Sequence, residues 1–152
     1  MLATISRVDA MPAALHASFA AGGTSPSVMQ GMAVLLADDD PHVRSWLRRE
    51  LEDSLASTVV EAADGGELED RLNERRFDLV VSDVQMPVAT GIAVAQRLRR
   101  QGSDTPFVFI TGSTSGALRA CVRRLGRAAV LAKPFEIEEL ERAARRLLAG
   151  CG

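Results

Sequence analysis

Five short apolar runs recur along the chain, each followed by a stretch with helical periodicity. No other feature limits the possible folds as strongly. The runs fall at residues 33–37, 58–62, 78–82, 106–110 and 129–132. Their length and β-branched content predict strands, and their nearly unbroken apolar character predicts burial on both faces. Between them, Val43, Leu47 and Leu51 are spaced by four, as are Leu68 and Leu72. Ile92, Ala95 and Leu98 are spaced by three, as are Ile137, Leu140 and Ala143, with Leu147 four further on. Each set lines one face of a helix. Asp40 before Pro41 reads as an N-cap followed by the first helical position. Strands that alternate with helices build a parallel sheet covered on both sides. The expected fold is therefore α/β, a doubly wound five-stranded parallel sheet, and residues 33–149 are long enough for one such core.

The flanks read differently. Residues 1–32 carry only Arg7 and Asp9 as charges and are rich in Ala, Gly, Ser, Pro and Met. They are expected to form a disordered leader, or to be upstream sequence ahead of a true start at Met29 or Met32, with at most a short helix near Ala13 to Ala20. Pro12 and His16 interrupt the unbroken apolar core that a signal peptide needs. Residues 150–152 are expected to be a frayed tail. No apolar run reaches the ~18–20 residues of a membrane span. A net charge of −2 argues against a globally basic nucleic-acid field. Cys121 and Cys151 have neither disulfide-framework nor metal spacing, and Cys121 is expected to be a buried inert thiol. Two free thiols fit a reducing cytoplasm.

A doubly wound sheet binds its ligand outside the carboxyl ends of its strands. The first run ends in Asp38, Asp39 and Asp40; the third in Ser82 and Asp83, followed by Val84, Gln85, Met86 and Pro87. The fourth ends in Thr111 and Gly112, the fifth in Lys133 and Pro134. Lys133 is the only lysine among 18 basic residues. Seventeen arginines read as solvated surface and codon usage, but a lone ammonium at a strand end marks a place for a compact cation. Asp38, Asp39 and Asp83 repel one another, each pair at ~4 Å costing about 4 kcal/mol at an effective dielectric near 20. Lys133 cancels one charge. The remaining two suit a divalent cation, and hard oxygen donors favour Mg²⁺.

The segments VLLADDDPHVRSWL, LVVSDVQMP, FITG and AKPF together resemble the receiver domain of two-component response regulators, over residues 33 to 149. Their spacing supports this, with 45 residues from Asp38 to Asp83, 28 to Thr111 and 22 to Lys133. The resemblance implies a flavodoxin-like (βα)5 fold in which Asp83 is the phosphoacceptor for a histidine kinase or phosphotransfer protein. It implies Mg²⁺ held by Asp38, Asp39, Asp83 and the backbone carbonyl of Gln85. Thr111 and Lys133 would bind phosphoryl oxygens, and a cis bond before Pro134 would aim Lys133. The chemistry is self-phosphorylation and dephosphorylation rather than turnover of a separate substrate. The output is expected at the face of residues 112–149, where Arg119, Arg123, Arg124 and Arg127 cluster, as phosphorylation-dependent protein binding or a phosphorelay step. No direct DNA contact is expected, since only three residues follow Ala149; a receiver of a hybrid kinase is the alternative.

Two features depart from the resemblance. Val130 stands where many receivers carry an aromatic residue three before the Lys, and the chain has no Tyr. Gly112 leaves out a side chain beside the phosphoryl pocket, which would ease entry of water. Asp38-x-Asp40 with Thr111 and Lys133 also faintly resembles haloacid-dehalogenase-type phosphatases, with Asp38 as nucleophile and Asp40 as acid/base, but that reading leaves Asp83 unused. A receiver that binds without being phosphorylated would not need all five positions. Lys133→Arg keeps the charge yet is expected to abolish phosphorylation-dependent partner binding; a pull-down showing normal binding in that variant contradicts the compact-cation argument.

Overall fold

The computed structural model describes residues 31–150. Residues 1–30 of the expected leader, its short helix near Ala13 to Ala20, and Cys151 lie outside the described residues. Five strands of five residues each form one parallel sheet: β1 (Ala33–Ala37), β2 (Thr58–Ala62), β3 (Leu79–Asp83), β4 (Phe107–Thr111) and β5 (Ala128–Ala132). Their order is β2-β1-β3-β4-β5. The helices between them are α1 (Pro41–Leu55), α2 (Gly65–Glu74), α3 (Gly91–Arg100), α4 (Gly116–Leu125) and α5 (Ile137–Leu148). The doubly wound (βα)5 arrangement is the one the apolar periodicity predicts.

Alternation along each strand sends successive side chains to opposite faces. Val34, Leu36, Val81, Val108 and Ile110 pack on Leu47, Leu51 and Leu55 of α1 and on Leu140, Ala144 and Leu147 of α5. Leu35, Ala37, Val80, Phe107 and Phe109 pack on Leu68 of α2, Val94 and Leu98 of α3, and Val122 and Leu125 of α4. Met32, read as leader from sequence, is buried in the first of these cores, and its carbonyl accepts the Thr58 N–H at 2.8 Å.

Burial on both faces holds for β1, β3 and β4, which lie inside the sheet. It fails for β2 and β5, whose side chains are partly exposed because both are edge strands. The third and fourth strands begin one residue later than their apolar runs. Asp78 turns its side chain aside to accept the Ala33 N–H at 2.8 Å, and Pro106 has no N–H to place in a ladder. At the other end Asp83 stays in register opposite Ile110, so the carboxylate belongs to the strand itself. Cys121 is not buried: Val122 and Leu125 take the inward face of α4, and the partly exposed Cys121 Sγ lies 3.6 Å from Gln96 Nε2.

One polar network pins an edge strand to its helix. Glu61 of β2 accepts from Arg44 Nε at 2.8 Å and Arg48 Nη1 at 2.7 Å. Arg48, and after it Arg44, holds the Glu61 carboxyl below the usual carboxylate range against the opposing effect of burial. A depressed folded-state value contributes stability above the unfolded pKa and loses it as pH falls through the folded value. Glu61→Gln is therefore expected to cost about 0.5–1 kcal/mol at neutral pH. Denaturant titrations of the two proteins should converge as the pH drops below the usual carboxylate range; a difference independent of pH would contradict the ionic account.

Candidate functional site

Connections leave β1 toward β2 on one side and reach β3 on the other, so the carboxyl ends of β1 and β3 flank the switch in strand order. Asp38 directly follows β1 and Asp83 ends β3. The Asp38 N–H donates to the Ala62 carbonyl at 3.2 Å, prolonging the sheet and fixing this side chain at its edge. Asp38 is 1% exposed and Asp83 8%, while Asp39 faces solvent. One carboxylate oxygen from each of the three lies within 4.8 Å of the others.

The cluster has few counterweights. Lys133 Nζ sits 3.1 Å from Asp83 Oδ2 and 3.8 Å from Asp38 Oδ2. Asp83 Oδ1 accepts the Gln85 N–H at 3.1 Å, and Asp38 Oδ1 accepts the Asp40 N–H at 2.8 Å. Three carboxylates against one ammonium leave two negative charges uncompensated. Burial pushes the Asp38 carboxyl above its ordinary value; the Asp40 N–H opposes this and the neighbouring Asp83 reinforces it. Such a donor set, all hard oxygens with excess negative charge, fits a divalent cation of the magnesium type. The Lys133–Pro134 peptide bond is cis.

Thr111 ends β4, 4% exposed, but its hydroxyl turns onto its own loop. Oγ1 donates to the Ser113 carbonyl at 2.9 Å and accepts the Ser113 N–H at 3.2 Å. Its carbonyl accepts the Lys133 N–H at 2.8 Å, tying the ends of β4 and β5 together. Beside it lies a cavity of about 380 Å³ lined by Val84, Gln85, Thr111, Gly112, Ser115 and Leu118, among others. A Cβ at Gly112 would meet nothing within 4 Å. A larger cavity, about 590 Å³, lies at the opposite end of the sheet among Phe77, Thr105 and Arg127, away from the acidic cluster.

A sequence profile for the response regulator receiver domain matches residues 34–145. The chain belongs to that family. Response regulator MprA of Mycobacterium avium is 40% identical over 118 residues, which are 77% of this chain and 51% of that protein. The chain spans about half the length of the curated relatives it matches. The receiver domain of Francisella response regulator 1452 superposes with a TM-score of 0.73 at 28% identity, covering 80% of this chain and all of that one. The receiver of the sensor histidine kinase PA1611 from Pseudomonas aeruginosa, solved with a magnesium ion in its active-site cleft, gives 0.68 at 26% identity over 78% of this chain and 98% of that one. This chain is thus a receiver domain of two-component signalling. Among its described residues no helix is long and apolar enough to cross a membrane.

Asp40, the acid/base of the phosphatase alternative, does not join the cluster. Its carboxylate caps α1 by accepting the His42 N–H at 2.9 Å and the Val43 N–H at 3.4 Å. These bonds hold it below the usual carboxylate range, the wrong direction for a proton donor. Arg127 also stands apart from Arg119, Arg123 and Arg124: it lies beyond α4, and its Nη2 reaches the Leu147 carbonyl at 2.8 Å. Val130 is half-buried against the Phe107 and Phe109 face.

The supporting roles of three residues escape a reading from sequence. Arg44 Nη1 donates to the Asp38 carbonyl at 2.7 Å, linking the acidic strand end to Glu61. Ser82, completely buried, donates to the Asp83 carbonyl at 2.8 Å. Gly91 starts α3 so close to β3 that a Cβ there would lie 2.6 Å from both the Asp83 carbonyl and Ser82 Oγ. The only local signals were a hydroxyl inside an apolar run and a Gly at a helix start. The same crowding marks Gly65, whose Cβ would overlap the Ala89 backbone in the loop after Asp83. If like charges strain this site, Asp38→Asn should raise stability in the absence of divalent cations by about 1–2 kcal/mol, a few degrees in the midpoint. A scanning calorimetry midpoint that falls instead would contradict that electrostatic account.

Proposed function

We propose that this receiver accepts a phosphoryl group on Asp83 from a phosphohistidine, borne by a histidine kinase or a histidine phosphotransfer protein. One observation carries the reading: a nearly buried carboxylate at the switch point is held by the Gln85 N–H and Lys133 while two further carboxylates crowd it. A structural ion pair has no use for the surplus negative charge, whereas a phosphoryl acceptor that works with a cation does. An oxygen of Asp83 attacks phosphorus in line, the P–N bond breaks, and its electron pair returns to the imidazole, which takes up a proton. The product is an acyl phosphate, a mixed anhydride reactive enough for later hydrolysis. Little more is asked of the protein than position and charge.

Asp38, Asp39, Asp83 and the Gln85 carbonyl are proposed to hold Mg²⁺, as the PA1611 receiver holds it in its own cleft. When bound, the ion would offset the two uncompensated charges, so that the incoming phosphoryl group meets no net negative charge. Lys133 would exchange Asp83 Oδ2 for a phosphoryl oxygen, and Thr111 would rotate from the Ser113 carbonyl to donate to another. Both residues are joined through the Lys133 N–H and the Thr111 carbonyl. Their movement therefore reaches the loop before α4 and the face of residues 112–149, biasing phosphorylation-dependent protein binding or onward phosphotransfer. Gly112 leaves room beside this pocket for the hydrolytic water. The setting proposed is cytoplasmic.

Incubation with Mg²⁺ and acetyl phosphate, read by intact mass, tests the proposal. One phosphoryl group, roughly 80 Da, should be added to the unaltered chain and to none of an Asp83→Asn sample. No adduct with any phosphodonor would leave a receiver that binds without being phosphorylated.

A further inference from the structure

We propose that the face formed by α3 and α4 docks an acidic peptide segment of a partner protein. This goes beyond the receiver reading by giving the chemistry of a partner, and it does not need Asp83 to be phosphorylated.

Charge is sorted along the chain. Residues 84–135 contain eight of the eighteen cations but only one of the twenty acids, Asp104. On the fold these residues build α3, α4 and the strands beside them. α3 carries Arg97, Arg99 and Arg100 and α4 carries Arg119, Arg123 and Arg124, with no carboxylate on either helix. Two of the six are engaged internally. Arg97 makes a bidentate pair with Glu69 of α2, both bonds at 2.8 Å. Arg99 is turned inward, donating to the Leu125 carbonyl at 2.7 Å. The other four are exposed, and among the described residues none pairs with a carboxylate; Arg119 donates only to Thr114 Oγ1 at 3.4 Å. This contrasts with α1, where Arg44 and Arg48 are both matched by Glu61.

Between the two helices lies a cavity of about 540 Å³, lined by Gln96, Arg99, Arg100, Cys121, Arg124 and Leu125. It combines a small apolar floor with a basic rim, the pattern that accepts one apolar side chain flanked by carboxylates. Cations in the last turn of a helix do favour its dipole. That effect accounts for Arg100, Arg123 and Arg124 but not for the absence of acids around them, since an ordinary exposed surface mixes both signs. Arginine forks match carboxylates two bonds at a time. Nucleic acid fits less well. α2 packs beside α3 and carries Glu67, Glu69, Asp70 and Glu74 against one Arg71, so a long polyanion crossing α3 would run onto an acidic helix.

The test adds a short Glu/Leu amphipathic peptide to the full, unphosphorylated chain and follows backbone amides by NMR. Its Gln/Leu counterpart and an oligothymidylate of equal formal charge are run beside it. The expected result is a set of shifts confined to 96–100 and 117–125, weakening on the order of tenfold from low to physiological salt. Arg100→Glu with Arg124→Glu, the two exposed cations on the cavity rim, should remove binding while phosphorylation of Asp83 and the thermal midpoint are kept. Should that pair destabilise the fold, Arg100→Gln with Arg124→Gln serves instead. Equal binding of the Gln/Leu peptide, shifts elsewhere, or no binding would overturn the proposal. So would tighter oligothymidylate binding on the same residues, which would make the face a nucleic-acid surface. Failure of Asp83 to be phosphorylated would overturn the receiver mechanism alone.

Discussion

Mutual repulsion among Asp38, Asp39 and Asp83 is the interaction on which the rest of this structure depends. A pair of like charges at ~4 Å costs about 4 kcal/mol at an effective dielectric near 20. A domain of this size is stable by only about 5–15 kcal/mol in total. One ammonium offsets part of that cost. The remainder falls on the scaffold, which must hold three carboxylates together that would otherwise separate. The buried position of Asp38 and Asp83 makes the demand greater, because water and salt screen buried charges less.

The scaffold meets it with two cores, one on each face of the sheet, and with β1 and β3 at its centre. Both acidic strand ends are clamped by groups from neighbouring elements: Arg44 grips the Asp38 carbonyl from α1, and Gly91 lets α3 press onto the end of β3. The loop after Asp83 carries a further constraint. Val88 stands at φ 73 in a tight turn closed by the Ala89 N–H on the Pro87 carbonyl at 2.8 Å, with Gly65 donating to the same carbonyl from α2. A β-branched residue is costly in that conformation. Strain here, like charge strain in the pocket, sits within a few residues of Asp83.

Much of this was legible from sequence because doubly wound sheets put chemistry where apolar runs stop. Asp38, Asp83, Thr111 and Lys133 could be placed at four strand ends from the alternation alone, and the helix faces followed from the spacing of Leu47, Leu51, Leu140 and Leu147. What escaped depends on contacts between distant segments. An apolar run does not announce whether its strand will lie at an edge, so β2 and β5 are more exposed than their composition suggests. Asp83 is polar, yet pairs with Ile110 inside the ladder, which shifts the third strand by one residue. The inward face of α4 leaves Cys121 to one side. Arg127 follows α4 in sequence but reaches the far end of the sheet, because the chain reverses at Gly126. Likewise, the direction of the Thr111 hydroxyl is set by Ser113 and could not be read from the spacing to Asp83.

We propose that this pocket is a charge-strained site completed when a divalent cation and a phosphoryl group arrive together. Fluorine NMR of the chain with beryllofluoride, a tetrahedral mimic of the phosphoryl group, tests it most directly. Bound fluorine resonances should appear with Mg²⁺ present, vanish when it is chelated, and be absent from Asp83→Asn. Bound resonances that persist without any divalent cation, or in Asp83→Asn, would contradict it.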